Sequence, residues 1–406
     1  MLGAAVFAYF VSVIQRSTMG VAALSATERF DTGATALSSV AAGQLAIYAL
    51  MQIPAGIALD RFGARRLIIF GSLMTGLGNL VVALAEQLPL AVIGRMIVGF
   101  GDAFVFISMI RLINGWVLGP RATTLTQLFA NLGQLGQIVS AIPFAYLLGI
   151  AGWSVSFSAA ASLALIASSL GLLLLRDEPG FRKQVHGFEG VFRLFRENLA
   201  DPFTRNAFWV HFTLQSSGSV FILLWGYTFL VQGEGLSRPL ASVLLSSFVF
   251  IGFFVGPILS HICVRHPDSR HRLVTAVYSI ISLAWILIIL SPGVNPTWQI
   301  ILLVLSIGIG GPASMVAFDY SRTSIPQPRL GSSNGIINSG GFVATFITMF
   351  LVGVALDLIQ RFELSGGASL YALESFKLAF PIQLVVMSFG IWMFFRERRL
   401  ILRGRE

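Results

Sequence analysis

Charge is what this sequence has least of: Asp, Glu, Lys and Arg together make up 11% of its 406 residues. A soluble domain needs roughly 25% charged residues to keep its surface wet, so this supply excludes an ordinary water-exposed fold. Cysteine is nearly missing as well. Cys263 stands alone, which excludes a disulfide framework. No Ser/His/Asp set, metal-ligand cluster or phosphate-cradling loop stands in a plausible place, so the residues argue for no enzyme activity, no metal and no cofactor. The first apolar run begins at residue 2 with no basic segment before it, so a cleaved leader is not expected. What the chain has in quantity is hydrophobic side chain: 55% of the total, 34 phenylalanines and a mean hydropathy of +0.81. Such a composition belongs in a lipid bilayer.

Apolar runs long enough to cross about 30 Å of hydrocarbon as helices fall at 3–24, 36–59, 67–85, 89–112, 123–149 and 154–175, then at 207–232, 239–263, 272–291, 297–319, 331–357 and 377–395. The prediction is an all-α membrane protein of twelve spans. Its 41 glycines suit close helix–helix approach in lipid. Arginine fixes the expected orientation. With both termini in the cytoplasm, the inner connections and tail hold twenty Lys/Arg and the outer ones only Arg29, Arg238, Arg361 and Lys377, as the positive-inside bias requires. The net charge of +9 is therefore a topology signal in a cell membrane. No soluble basic face exists to bind nucleic acid.

The longest interior break, 176–206, carries six basic and five acidic residues and divides the spans six and six. The expected organisation is a bundle over 1–175, a cytoplasmic linker over 176–206 and a second bundle over 207–406. A weak repeat supports duplication: GPRATTLTQLFANLG (119–133) resembles QPRLGSSNGIINSGG (327–341), matching Pro120 and Arg121 to Pro328 and Arg329, then Asn131 and Gly133 to Asn338 and Gly340 after one gap. Both stretches open the fifth span of their half. Two such bundles, related by a pseudo-two-fold axis along the membrane normal, place a solute site at the midplane between them.

One stretch between the second and third runs, GIALDRFGARR (56–66), resembles the loop motif G-x-x-x-D-R-x-G-x-R-R of the major facilitator superfamily. Arg95 and Gly99 resemble that superfamily's R-x-x-x-G motif, and NLGQLGQIVSAIP resembles its fifth-helix motif loosely. The resemblance covers essentially the whole chain and implies alternating access by rocking of the two bundles, in a protein expected to be a monomer. It also implies that Gly56, Asp60, Arg61, Gly63, Arg65 and Arg66 form a clasp between the halves on the cytoplasmic side. Plain positive-inside anchoring explains the arginines but not an aspartate at the membrane edge, where a helix N-terminus would favour it. In the second half CVRHPDSRHR (263–272) stays basic but lacks the glycine frame.

Ionisable groups inside spans are functional hypotheses by default, and here they are few: Arg16 in span 1, Arg95, Asp102 and Arg111 in span 4, His211 in span 7 and Asp319 closing span 10. Arg95 and Asp102, seven residues apart, share a helix face about 10 Å apart along the axis. A third group must bridge them, and because spans 1 and 4 line the cavity in the family it resembles, Arg16 is the candidate. On this reading Arg16 receives an anionic group of a solute and Asp102 carries the coupled proton. The competing reading makes Arg95 a structural donor to backbone carbonyls and Arg16–Asp102 a static pair. Arg111 and Asp319 occupy equivalent positions in the two halves and suggest a gate.

Uncharged polar residues add to the pattern. Gln127, Asn131 and Gln134 share a face of span 5, Asn334 and Asn338 one of span 11, and Gln215 lies four after His211. Tyr9 shares the side of Arg16. Each could contact solute or serve as interhelical glue. The surroundings of Arg16 resemble the anion-handling branches: anion:cation symporters, nitrate/nitrite porters and the lysosomal dipeptide branch. They lack the span-2 and span-8 arginines of nitrate porters and the span-7 basic residue of organophosphate exchangers, so a small organic monoanion or zwitterion is expected as the solute. An exporter of lipophilic drugs and a non-transporting membrane sensor remain open.

Overall fold

The computed structural model describes residues 1–117, 120–177 and 188–403. Among them, eleven helices are long and apolar enough to cross a membrane, and one, Leu128–Leu174, runs to 47 residues. No bilayer accommodates about 70 Å of straight helix. The chain folds back at Gly152, whose φ of 74° and ψ of −175° break the helix in a region open to glycine. The reversal shows in the rings of Phe144 and Phe157, which are 5.2 Å apart where a straight helix would separate them by about 20 Å. The count is therefore twelve, as predicted.

The first six spans are Leu2–Phe30, Ala34–Phe62, Ala64–Leu84, Leu88–Trp116, 120–151 and 153–174. The second six are Pro202–Gly233, Arg238–Arg265, Arg270–Leu290, Thr297–Ser324, Gln327–Arg361 and Leu373–Arg403. Most helices run beyond their apolar runs by several residues. The linker differs more: it contains a helix, Phe188–Ala200, and span 7 starts at Pro202. Asp201 explains the early start, its Oδ1 accepting from Phe203 N at 2.8 Å as an N-cap, with proline in the first turn. Arg329 fastens the linker helix to span 11 by donating Nε to Asn198 Oδ1 at 3.0 Å and Nη2 to Glu197 O at 3.1 Å.

Among the described residues, spans 1–6 pack among themselves, as do 7–12, and the main pairs that join the two sets are 2 with 11, 5 with 8, and 1 with 7, with a smaller contact of 2 with 7. A pseudo-two-fold that maps span 2 on 8 and 5 on 11 exchanges the first two pairs and maps the third on itself. One pair of helix-interior prolines follows the same relation, Pro54 in span 2 and Pro257 in span 8. Within the first half, spans 3 and 4 touch backbone to backbone: a Cβ on Gly71 would lie 2.5 Å from Gly101 O. In lipid this close contact substitutes for the hydrophobic drive that water would supply.

Candidate functional site

Arg16 and Asp102 meet where the two six-helix sets adjoin. Arg16 donates Nε to Asp102 Oδ2 at 2.7 Å and Nη2 to Oδ1 at 2.9 Å, a two-pronged pair of the kind that planar guanidinium favours. Ser12 Oγ, four residues and one turn before Arg16, also donates to Asp102 Oδ1. The guanidinium lies 4.7 Å from the ring centroid of Tyr48 in span 2 and 5.6 Å from that of Phe342 in span 11. One half supplies each ring, and the two centroids are 4.5 Å apart. Asp102 is 1% exposed and Arg16 12%. The remaining edge of the guanidinium, Nη1, has no hydrogen-bond acceptor among the described residues, so the open side of the pair is cationic.

Arg95 is fully buried and does not reach Asp102. It donates Nη1 to Gln15 O and to Thr18 Oγ1, both at 3.1 Å, and Nη2 to Arg16 O at 3.3 Å. Its charge is spent on the backbone of span 1 next to Arg16, which fixes where that residue leaves the helix. Gln15 points away from the pair, donating Nε2 to Ala160 O at 2.6 Å. The third group between Arg95 and Asp102 is thus Arg16, through its carbonyl on one side and its guanidinium on the other.

The polar residues divide. Tyr9 Oη accepts from Gln134 Nε2 at 2.9 Å, below Arg16 on the same face. Asn338 Nδ2 donates to Gln52 Oε1 at 3.2 Å, joining span 11 to span 2. Gln215 is tied at both ends, donating Nε2 to Ser219 Oγ and accepting from Ser314 Oγ, each at 3.0 Å. Asn334 accepts from Ser321 Oγ at 2.7 Å. Asn131 is half-buried on span 5, whereas the side chain of Gln127 lies outside the described residues. His211 accepts from Gly341 N through Nδ1 at 3.1 Å, which leaves its proton on Nε2.

In the loop motif, Gly63 has φ 84° and turns span 2 into span 3. Asp177, at the start of the linker, accepts from Arg65 N at 2.9 Å, and Arg65 Nη2 donates to Leu172 O at 3.0 Å. Arg61 stacks beside Phe62 at 5.4 Å, Arg66 is exposed and Gly56 has open space around it. In this conformation the motif's contacts among the described residues reach the first half and the start of the linker, not the second half; the side chain of Asp60 lies outside the described residues. Arg111 is half-buried. Asp319 pairs with Arg322 of its own helix at 2.7 Å.

On the face opposite the termini the halves are joined by groups the sequence did not single out. Asp357 of span 11 accepts from Ala34 N at 2.8 Å and Thr35 N at 2.9 Å, capping span 2 from across the junction. Tyr371 Oη and Thr27 Oγ1 are 3.0 Å apart, and burial pushes the Tyr371 phenol up to about 12, so this contact stays neutral. A Cβ on Gly20 would stand 2.1 Å from Ile222 O. Ser12 could have been found from its one-turn spacing to Arg16. Tyr48, Gln52, Phe342 and Asp357 carried no local signal, because each meets a partner on a distant element, hundreds of residues away except for Tyr48 and Arg16.

Two sets of six spans, closed on one face and holding a buried ion pair at their junction, define a membrane transporter. The chain belongs to the Major Facilitator Superfamily, whose family model matches residues 5–349. It is 21% identical over 391 residues to the "Probable galactarate/D-glucarate transporter GarP" of Escherichia coli K12, covering 87% of each chain. To the hexuronate transporter of Bacillus subtilis 168 it is 21% identical over 383 residues, 89% of this chain and 90% of that one. Its fold matches the crystal structure of a bacterial homolog of the human lysosomal transporter Spinster, in an inward-facing and unoccupied conformation, with a TM-score of 0.76 at 16% identity over 99% of this chain and 97% of that one.

Proposed function

We propose that this protein carries a small organic anion together with a proton across the cell membrane, with both termini in the cytoplasm. One observation carries the reading: in the Arg16–Asp102 pair the carboxylate is 1% exposed, while the arginine keeps 12% exposure and an Nη1 without an acceptor among the described residues. As a pair it is neutral and tolerable in a low-dielectric bundle. A solute carboxylate arriving at Nη1 sets two carboxylates against one guanidinium, a net negative charge that the entry of a proton neutralises. Protonation in turn loosens the hold of Asp102 on Arg16, whose charge then passes to the solute. Anion and proton enter together and leave together. Tyr48 and Phe342, one from each half, lie against the same guanidinium, so occupancy at Arg16 is felt by both bundles.

The relatives named for galactarate/D-glucarate and hexuronate suggest a hydroxylated carboxylate, and Tyr9, Asn131, Gln134, Gln52 and Asn338 offer hydroxyl and amide groups for it. Gln215, tied to Ser219 and Ser314 inside the second half, is the weakest of the solute contacts expected from sequence. Asp60, Arg65, Arg111 and Asp319 on the termini face form the gate that closes when the far face opens. The test is uptake of labelled glucuronate, galactarate and an amino-acid control into proteoliposomes with and without a pH gradient. Wild-type protein accumulates a sugar acid when the gradient is present, and Arg16→Ala reduces this at least 100-fold. Gradient-driven uptake that survives Arg16→Ala would overturn the assignment.

A further inference from the structure

The outward face of span 12 changes chemistry along its length. Val385, Phe389 and Trp392 are exposed, and Arg396, Arg399 and Arg403 follow, exposed as well. At 100° per residue all six fall in one stripe about 80° wide, with the arginines spread over about 10 Å of axis. Trp392, Phe395, Arg396, Arg399, Leu400 and Arg403 line a cleft of about 370 Å³ at this helix end. We propose that this cleft binds an anionic phospholipid of the leaflet on the termini face, its phosphate on the three arginines and its acyl chain along Trp392 and Phe389.

Topology alone does not account for the arrangement. A positive-inside bias asks only that arginines lie beyond the span, on any side of the helix. Here the ionic groups that face inward have partners in neighbouring elements: Glu397 pairs with Arg205 at 2.9 Å, and Arg398 hydrogen-bonds with His271 Nδ1 at 3.3 Å. The three arginines on the lipid-facing stripe have no carboxylate partner among the described residues; the recorded contact of Arg396 is to Met393 sulfur at 3.8 Å. Unmatched cations directly above an exposed aromatic and aliphatic strip have the shape and charge of an amphiphile's complement. Guanidinium groups bind phosphate through paired N–H donors, and the aromatic at the boundary suits the headgroup level. A zwitterionic lipid carries its own cation beside the phosphate and satisfies the cluster less well.

The experiment adds phosphatidylglycerol, phosphatidylcholine or inorganic phosphate to delipidated protein in detergent, and follows thermal unfolding together with native mass spectrometry of retained lipid. For wild-type protein, phosphatidylglycerol raises the midpoint by about 3 °C or more over phosphatidylcholine and is retained in the mass spectrum. In R396Q/R399Q/R403Q both differences vanish. The triple Lys variant keeps the charge and insertion bias, and shows a smaller difference because the paired donors are gone; it also serves if the Gln variant fails to accumulate. Equal response of wild-type and Gln proteins to phosphatidylglycerol, or no preference over phosphatidylcholine, overturns the proposal. A full shift with inorganic phosphate overturns it too, since the site would then be for a free anion.

Discussion

At the scale of single residues, three buried ionisable groups do three different things, and only their surroundings tell them apart. Arg95 is fully buried and donates to three acceptors on span 1. Hydrogen bonds from a charged group are worth about 1.5–3 kcal/mol each, so Arg95→Gln should lower stability by about 3 kcal/mol or more, read as an earlier unfolding midpoint in detergent, with Arg95→Lys partly restored. Arg16 is different, because its carbonyl serves structure and its guanidinium faces the junction. Asp102→Asn should leave solute exchange under equal pH intact while abolishing gradient-driven accumulation; loss of both activities would make Asp102 structural. Sequence exposed all three, since charge inside a span is rare enough to be conspicuous. That Arg16 stands between Arg95 and Asp102 was expected as well; which of its atoms meets which neighbour was not legible. Helix periodicity places Arg95 and Asp102 on one face, but the choice of Arg16's partner depends on how span 1 leans against span 4.

At the scale of elements, the twelve spans were readable because each is a hydrophobic run of membrane length, and their ends were less so. Asp201 moves the start of span 7 ahead of the apolar residues, a cap that hydropathy does not register. Asp357 is a second cap the sequence hides, since the helix it serves begins more than three hundred residues earlier. A carboxylate on a helix N-terminus is worth about 0.3–2 kcal/mol, and this one acts between halves. Asp357→Asn should therefore shift the protein toward opening on the face opposite the termini with little change in fold stability. Thr27→Cys, made in a Cys263→Ser background, provides the probe: its labelling by a membrane-impermeant maleimide should rise several-fold when Asp357→Asn is added. Unchanged labelling would show that the cap contributes nothing to closure.

At the scale of the whole molecule, the repeat glimpsed between 119–133 and 327–341 corresponds to an exchange symmetry of helix pairs, 2 with 11 and 5 with 8. If transport is a rocking of two rigid bundles, span 2 must separate from span 11 on the far face in every cycle. Ser38 and Gly353 stand directly at that seam: a Cβ on Gly353 would lie 2.9 Å from Ser38 Cβ and 2.4 Å from its Oγ. A disulfide holds Cβ atoms about 3.5–4.5 Å apart, so spans 2 and 11 must part slightly to form it, which also relieves the 2.7 Å approach of the added Cβ to Ala34 O. Ser38→Cys with Gly353→Cys, made without Cys263, should therefore cross-link spontaneously under mild oxidant and stop net uptake. Reductant should restore uptake to the level of either single variant. The cross-linked protein should still bind solute from the termini face, because the bond closes only the opposite one. Full uptake through a quantitatively cross-linked protein would mean that spans 2 and 11 never part there, and the solute path would have to run outside the junction that holds Arg16.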